Sequence, residues 1–157
     1  PPTATTMQRQ LLIALLLVAC TTASAQLVAI REMKVPGEGI CDNTKVYAAL
    51  IFDGQVPQKC SMTKQEVEDL LNREVTYPKD NPKFKLQKHA SFSTLVNCKG
   101  ELVQVELDTK SAEFNQQVIN AIKVMGATWT SGTLYGKPVD SDELWGIEIK
   151  KGRIVLP

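Results

Sequence analysis

The sequence predicts a small α+β domain, with a largely three-stranded antiparallel sheet packed on two helices in the order α-β-β-α-β, behind an export signal. Three observations carry this expectation. SMTKQEVEDLLNREV and SAEFNQQVINAIKVM each place a capping residue ahead of apolar residues at helical spacing. HASFSTLVN and ELVQVELD alternate with period two around a glycine turn. DELWGIEIKKGRIVLP then supplies at least one more strand, with a turn or bulge at KKG.

The chain opens with segments that the domain does not need. PPTATT, residues 1–6, reads as sequence upstream of the true start at Met7. Residues 7–25 form a signal peptide: Arg9 supplies the positive region, LLIALLLVAC is an apolar run too short to span a bilayer, and Ala23-Ser24-Ala25 is a small-x-small cleavage site. Gln26 is then the first mature residue. The alternative is a lipobox at Leu17-Val18-Ala19-Cys20, with a lipid on Cys20; only that route ties the chain to a membrane. Loss of Arg9 lowers Lys+Arg from 18 to 17 against Asp+Glu 17, leaving no net charge. A neutral chain is a poor match for nucleic acid or an anionic surface recognised through charge.

Residues 26–60 read as an N-terminal extension and residues 61–157 as the domain. In the extension, VPGEG and FDGQVP are turns, and KVYAALIF is a strand or a short helix. After cleavage Cys41, Cys60 and Cys98 remain, an odd number in an oxidising compartment, which implies one disulfide and one free thiol. Three pairings are open. Cys41–Cys60 is the one expected, since those two flank KVYAALIFDGQVPQK and would staple its ends.

In the first helix Thr63 and Glu66 form a capping box, and Val67, Leu70 and Leu71 build the apolar face. Pro78 and Pro82 bar its continuation. The hairpin puts Ala90, Phe92, Thr94 and Val96 on one face of its first strand and Val103, Val105 and Leu107 on one face of its second, with Gly100 in the turn. A sheet face of this kind must be covered. The cover is the second helix, with Ser111 as cap, a stripe of Phe114, Val118, Ile122 and Met125, and Gly126 at its end. ATWTSGTLYGKPV follows as the crossing to the last strand. Trp129 is expected to plug the core there, and Gly136-Lys137-Pro138 to turn the chain so that Val139 enters the strand.

Little in the sequence points to catalysis, a cofactor or a metal. His89 is the only histidine, so a His-based metal site lacks a second ligand. There is no CxxC, phosphate loop or HExxH. Asp140, Asp142 and Glu143 read as a solvated turn at a strand entrance, without the glycine spacing of a calcium loop. An enzyme would have to work through Cys98 and His89.

The order of segments, together with Tyr77-Pro78, the helix stripe Phe114, Val118, Ala121 and Ile122, then Trp129, Ser131-Gly132 and Gly136-Lys137-Pro138-Val139, resembles the C-terminal domain of TonB-type energy transducers over about residues 60–150. Ser131 stands where that family has proline. The resemblance carries no membrane anchor and no Pro-rich linker, so it implies the binding module alone. It implies a partner that is a protein or extended peptide, such as an outer-membrane receptor, bound by strand addition to the last strand over Val139 to Lys150, in the periplasm or envelope of a Gram-negative bacterium. Val139, Leu144, Trp145, Ile147 and Ile149 would then meet the peptide, while Tyr77, Pro78, Trp129, Gly132, Gly136 and Pro138 shape the domain. Family domains exchange strands, so a monomer and a strand-exchanged dimer are both open. The competing expectation is a structural or assembly protein of the envelope that uses the fold as a scaffold.

Overall fold

The computed structural model describes residues 30–32, 38–42, 45–48, 54–77 and 90–157. The leader, Cys20, Pro78 and His89 lie outside the described residues. The elements in chain order are β1 (Ile30–Glu32), β2 (Lys45–Ala48), β3 (Gln55–Val56), β4 (Lys59–Cys60), α1 (Lys64–Glu74), β5 (Ala90–Val96), β6 (Leu102–Leu107), α2 (Ala112–Val124), β7 (Trp129–Thr130), β8 (Gly132–Leu134), β9 (Lys137–Val139), β10 (Ser141–Lys150) and β11 (Arg153–Val155). The fold is α+β, with two helices and several small sheets among the described residues.

Both helices begin as their sequences dictate. The Thr63 side chain accepts from the Glu66 N–H, and the Glu66 carboxylate accepts from the Thr63 N–H at 2.7 Å, which holds that carboxyl below its ordinary pKa range. Ser111 Oγ accepts from the Phe114 N–H at 3.2 Å, and Gly126 follows the end of α2 with φ +70°. Val67, Leu70 and Leu71 of α1 and Phe114, Val118, Ala121 and Ile122 of α2 are buried. All but Leu70 share one core with Phe92, Val105, Leu107 and Ile147 of the sheet and with Ile154 and Leu156 near the C-terminal residue.

The expected hairpin is present. β5 and β6 pair antiparallel, and β10 pairs antiparallel with β5 on its other side, from Ser141 opposite Val96 to Ile147 opposite Ala90. Between Leu95 and Val96 the register shifts, leaving Val103 without a partner on β5. The turn needs Gly100: its φ is +81°, and an added Cβ would stand 2.8 Å from the Trp129 carbonyl oxygen.

Three expectations are corrected. The main sheet is larger than three strands, with the order β1-β2-β10-β5-β6 and β11 also paired to β10. Period-two alternation identifies a strand but not its neighbours, and β2 joins β10 in parallel through only Ser141–Tyr47 and Asp142–Ala48. Second, the described part of residues 26–60 is not an appendage, because β2 lies in the main sheet, β3 pairs β8 and β4 pairs β7. The ambiguous KVYAALIF is a strand over Lys45–Ala48.

Third, ATWTSGTLYGKPV is not a simple crossing. It forms β7, β8 and β9, and Tyr135-Gly136 make a two-residue turn with φ +50° and +76° between β8 and β9. Val139 therefore ends β9, and the last long strand starts at Ser141. Lys151-Gly152 make the same kind of turn into β11, with φ +52° and +77°.

Phe114 tests this packing. It is 1 % exposed, and Tyr77 meets its ring edge-on at 5.9 Å. Phe114→Ala is expected to lower unfolding free energy by about 3–5 kcal/mol in a denaturant melt. A loss under about 1 kcal/mol would show that α2 does not close the core.

Candidate functional site

The residues expected to meet a partner do not form a bare edge. β10 is central rather than peripheral. β2 pairs with Ser141 and Asp142 on the side away from β5, β11 pairs with Glu148 to Lys150, and Pro157 stands over Gly146, where an added Cβ would be 3.0 Å from its Cγ. Among the described residues Glu143 to Ile147 have no paired strand on that side. Ile147 is fully buried and Ile149 packs half-buried against the core. Val139 is half-buried opposite Gly132 on β8. Leu144 alone of the five faces solvent freely, at 72 % exposure.

Trp145 belongs to a buried polar network. Its indole Nε1 donates to Thr94 Oγ1 at 3.1 Å, and its ring stacks on Phe92 with centroids 5.8 Å apart. Gln58 Nε2 donates to the same hydroxyl at 2.8 Å and to the Thr94 carbonyl at 3.0 Å. Ser141 Oγ donates to Gln58 Oε1 at 2.9 Å and accepts from the Gly132 N–H at 3.2 Å. Gln58, Thr94 and Ser141 are all buried, so each bond spares a polar group an unpaired interior. Gly132 is required here, because an added Cβ would lie 2.8 Å from Ser141 Oγ. Trp129 is corrected: it is half-buried, outside the main core, and meets Trp145 edge-on at 6.3 Å. Pro138 and Gly136 are exposed on the β8–β9 hairpin, and Tyr77 is half-buried against Phe114.

The disulfide is also corrected. Cys41 pairs with Cys98, with Cα atoms 6.0 Å apart, and Cys60 is free. Cys60 sits on β4 opposite Trp129, while Cys41 is held beside the β5–β6 turn. The reason is Asp140, which the sequence suggested was a solvated turn residue. It is 2 % exposed, and its carboxylate accepts from the N–H of Cys41 (2.9 Å), Asp42 (2.7 Å) and Cys98 (2.9 Å). Asn97, also buried, braces the same turn: its Oδ1 accepts from the Lys99 and Glu101 N–H groups and its Nδ2 donates to the Gly39 carbonyl at 2.7 Å. No sequence motif marks Asp140 or Asn97, since their partners lie up to 99 positions away.

Cys41, Cys98 and Asp140 bring their ligand atoms within 4.8 Å of one another. With both sulfurs in a disulfide and three N–H groups directed at the carboxylate, this cluster is a structural clamp and lacks the thiolates that a soft metal requires. Burial pushes the Cys60 thiol up, with Glu143 and Glu66 adding to the shift. Burial also pushes the Glu143 carboxyl up. A raised thiol pKa makes Cys60 a poor nucleophile near neutrality.

An open edge exists elsewhere. β6 ends the main sheet, and no strand pairs with its outer side among the described residues. At its start lies a cleft of about 670 Å³ lined by apolar Leu102, Val103, Ile122, Met125 and Trp129 and by polar Glu101, Lys123 and Thr128. Sequence alternation showed β6 as a strand but could not show that it would be the last one.

No family model, no curated protein and no solved structure matches the chain.

Two outcomes follow from the clamp and the thiol. Asp140→Ala should cost roughly 2–4 kcal/mol in a denaturant melt, because several N–H groups lose a charged acceptor at once; a change under about 0.5 kcal/mol would mean that water replaces the carboxylate freely. Cys60 should react with iodoacetamide at pH 8 more slowly than an unfolded-state thiol, since its raised pKa lowers the thiolate fraction there. The rate should rise when the chain is denatured, and equal rates in both states would contradict the burial of the thiol.

Proposed function

We propose that this chain is an exported protein-binding module that takes an extended peptide of a receptor or envelope protein by strand addition at the outer edge of β6. The supporting observation is the coincidence of two features: an edge of six residues, Leu102–Leu107, with no partner strand among the described residues, and a cleft of mixed polar and apolar lining at its first two residues. Unpaired backbone N–H and C=O groups give a peptide its affinity, and a side-chain pocket beside them gives it selectivity. The disulfide agrees with an oxidising compartment.

The resemblance to TonB-type C-terminal domains supports the same class of partner and extends it to TonB-dependent transport. It favours β10 as the receiving strand, whereas the strand order favours β6. Six open residues admit more backbone bonds than the five without a paired strand on β10, where Pro157 also stands over Gly146. Leu102, Val103 and Trp129 would flank the first bound side chain.

The test is a titration of the isotope-labelled chain with a panel of extended peptides, followed by backbone amide shifts. Shifts are expected over residues 102–107, and Val103→Asp, which places a charge in the cleft, should weaken binding about tenfold or more. A panel that moves no amide of β6 or β10 would remove the reading.

A further inference from the structure

We infer that the Cys41–Cys98 disulfide is a redox-released latch that holds β2 beside β10, so that its reduction lengthens a second open backbone edge on β10. The geometry carries this. β2 is a short strand whose contact with β10 is a parallel register of two residues, Ser141–Tyr47 and Asp142–Ala48. Its N-terminal approach is fixed at Cys41, ahead of the strand's start at Lys45: the Cys41 and Asp42 N–H groups end on the Asp140 carboxylate, and the Tyr47 N–H donates to the Asp140 carbonyl at 2.9 Å. One residue, Asp140, thus touches the latch with its side chain and the strand with its backbone.

The bond is reachable. Cys41 is exposed and Cys98 half-buried, unlike the buried network around Gln58. A dithiol would reduce it in two exchanges: one thiolate attacks a half-cystine sulfur, the second closes the reductant's own disulfide, and two electrons and two protons end on the Cys41 and Cys98 sulfurs. What then holds β2 is its short register with β10, its pairing with β1, the bonds to the Asp140 carboxylate and carbonyl, the buried Val46, the Gln55 Nε2 bond to the Ala48 carbonyl at 2.6 Å and, upstream, the Asn97 Nδ2 bond to the Gly39 carbonyl. The β5–β6–β10 sheet does not depend on the latch, since β10 pairs with β5 over seven residues and the helices cover the other face. Departure of β2 would extend the strand-free side of β10 from Glu143–Ile147 to Ser141–Ile147, with exposed Leu144 within it.

The use of that edge rests on the strand-addition reading; the latch does not. Deuterium exchange of the full chain, in a Cys60→Ser background that prevents reshuffling, reads the two separately. On reduction with dithiothreitol the Tyr47 amide is expected to exchange at least tenfold faster, with the amides of Phe92 to Val96 changing less than twofold. Cys41→Ser/Cys98→Ser should reproduce this without reductant, and Asp140→Asn should enlarge it in the reduced protein. An unchanged Tyr47 rate overturns the latch, and so does acceleration of Tyr47 and of Phe92–Val96 together, which would make the disulfide a support of the whole fold. If Tyr47 is released but no extended peptide then shifts Ser141–Ile147, the latch stands and strand addition at this edge fails.

Discussion

A single buried carboxylate organises this molecule. Asp140 lies between the β8–β9 hairpin and β10, and it gathers N–H groups from Cys41, Asp42 and Cys98. A charged acceptor removed from water must be satisfied by donors, and here the donors come from two distant stretches of backbone. The consequence is geometric. The segment around Cys41 is drawn to the end of β5, the two sulfurs come within bonding distance, and β2 is set down beside β10. With Asp140 in place, Cys60 is left on β4 without a partner.

A second layer of polar bonding repeats the principle deeper in the fold. Gln58, Thr94, Ser141 and Trp145 form a chain of hydrogen bonds across β10 and β5, with the Gly132 N–H at one end. Such a network tolerates few substitutions, because each member leaves another unsatisfied. It also explains why the small β-elements between α2 and β10 are ordered in short pieces. β7 is fixed by β4, β8 by β3 and Ser141, and β9, among the described residues, by β8. The apolar core, by contrast, is ordinary: two amphipathic helices on one face of an antiparallel sheet, closed at the end by Ile154 and Leu156.

These two layers shape the functional proposal. β10 is consumed by the fold's own strands, so the residues named from the resemblance are mostly core or half-buried. Among the described residues the longer outer strand of the main sheet is β6, bordered by a cleft of mixed polar and apolar lining. A module built this way would present one standing edge and keep another under a strand that a disulfide retains.

The sequence by itself determined what local forces decide. The capping box of Thr63 and Glu66, the stripe of α2, the alternation of β5 and β6 and the turn at Gly100 are each legible in a few residues, because helix and hairpin periodicities are local. The α+β class followed from their order. Only the tertiary structure decided which strand is central, which cysteines join and which acidic residue is buried. Asp140, Asp142 and Glu143 look alike along the chain, yet Asp140 is 2 % exposed because its partners arrive from residues 41, 42 and 98. Trp129 looked like a core plug because its size favours burial, but Trp145 took the inner place by stacking on Phe92 and bonding Thr94, leaving Trp129 at its edge. Long-range pairing depends on which surfaces meet, and no spacing within a segment records that.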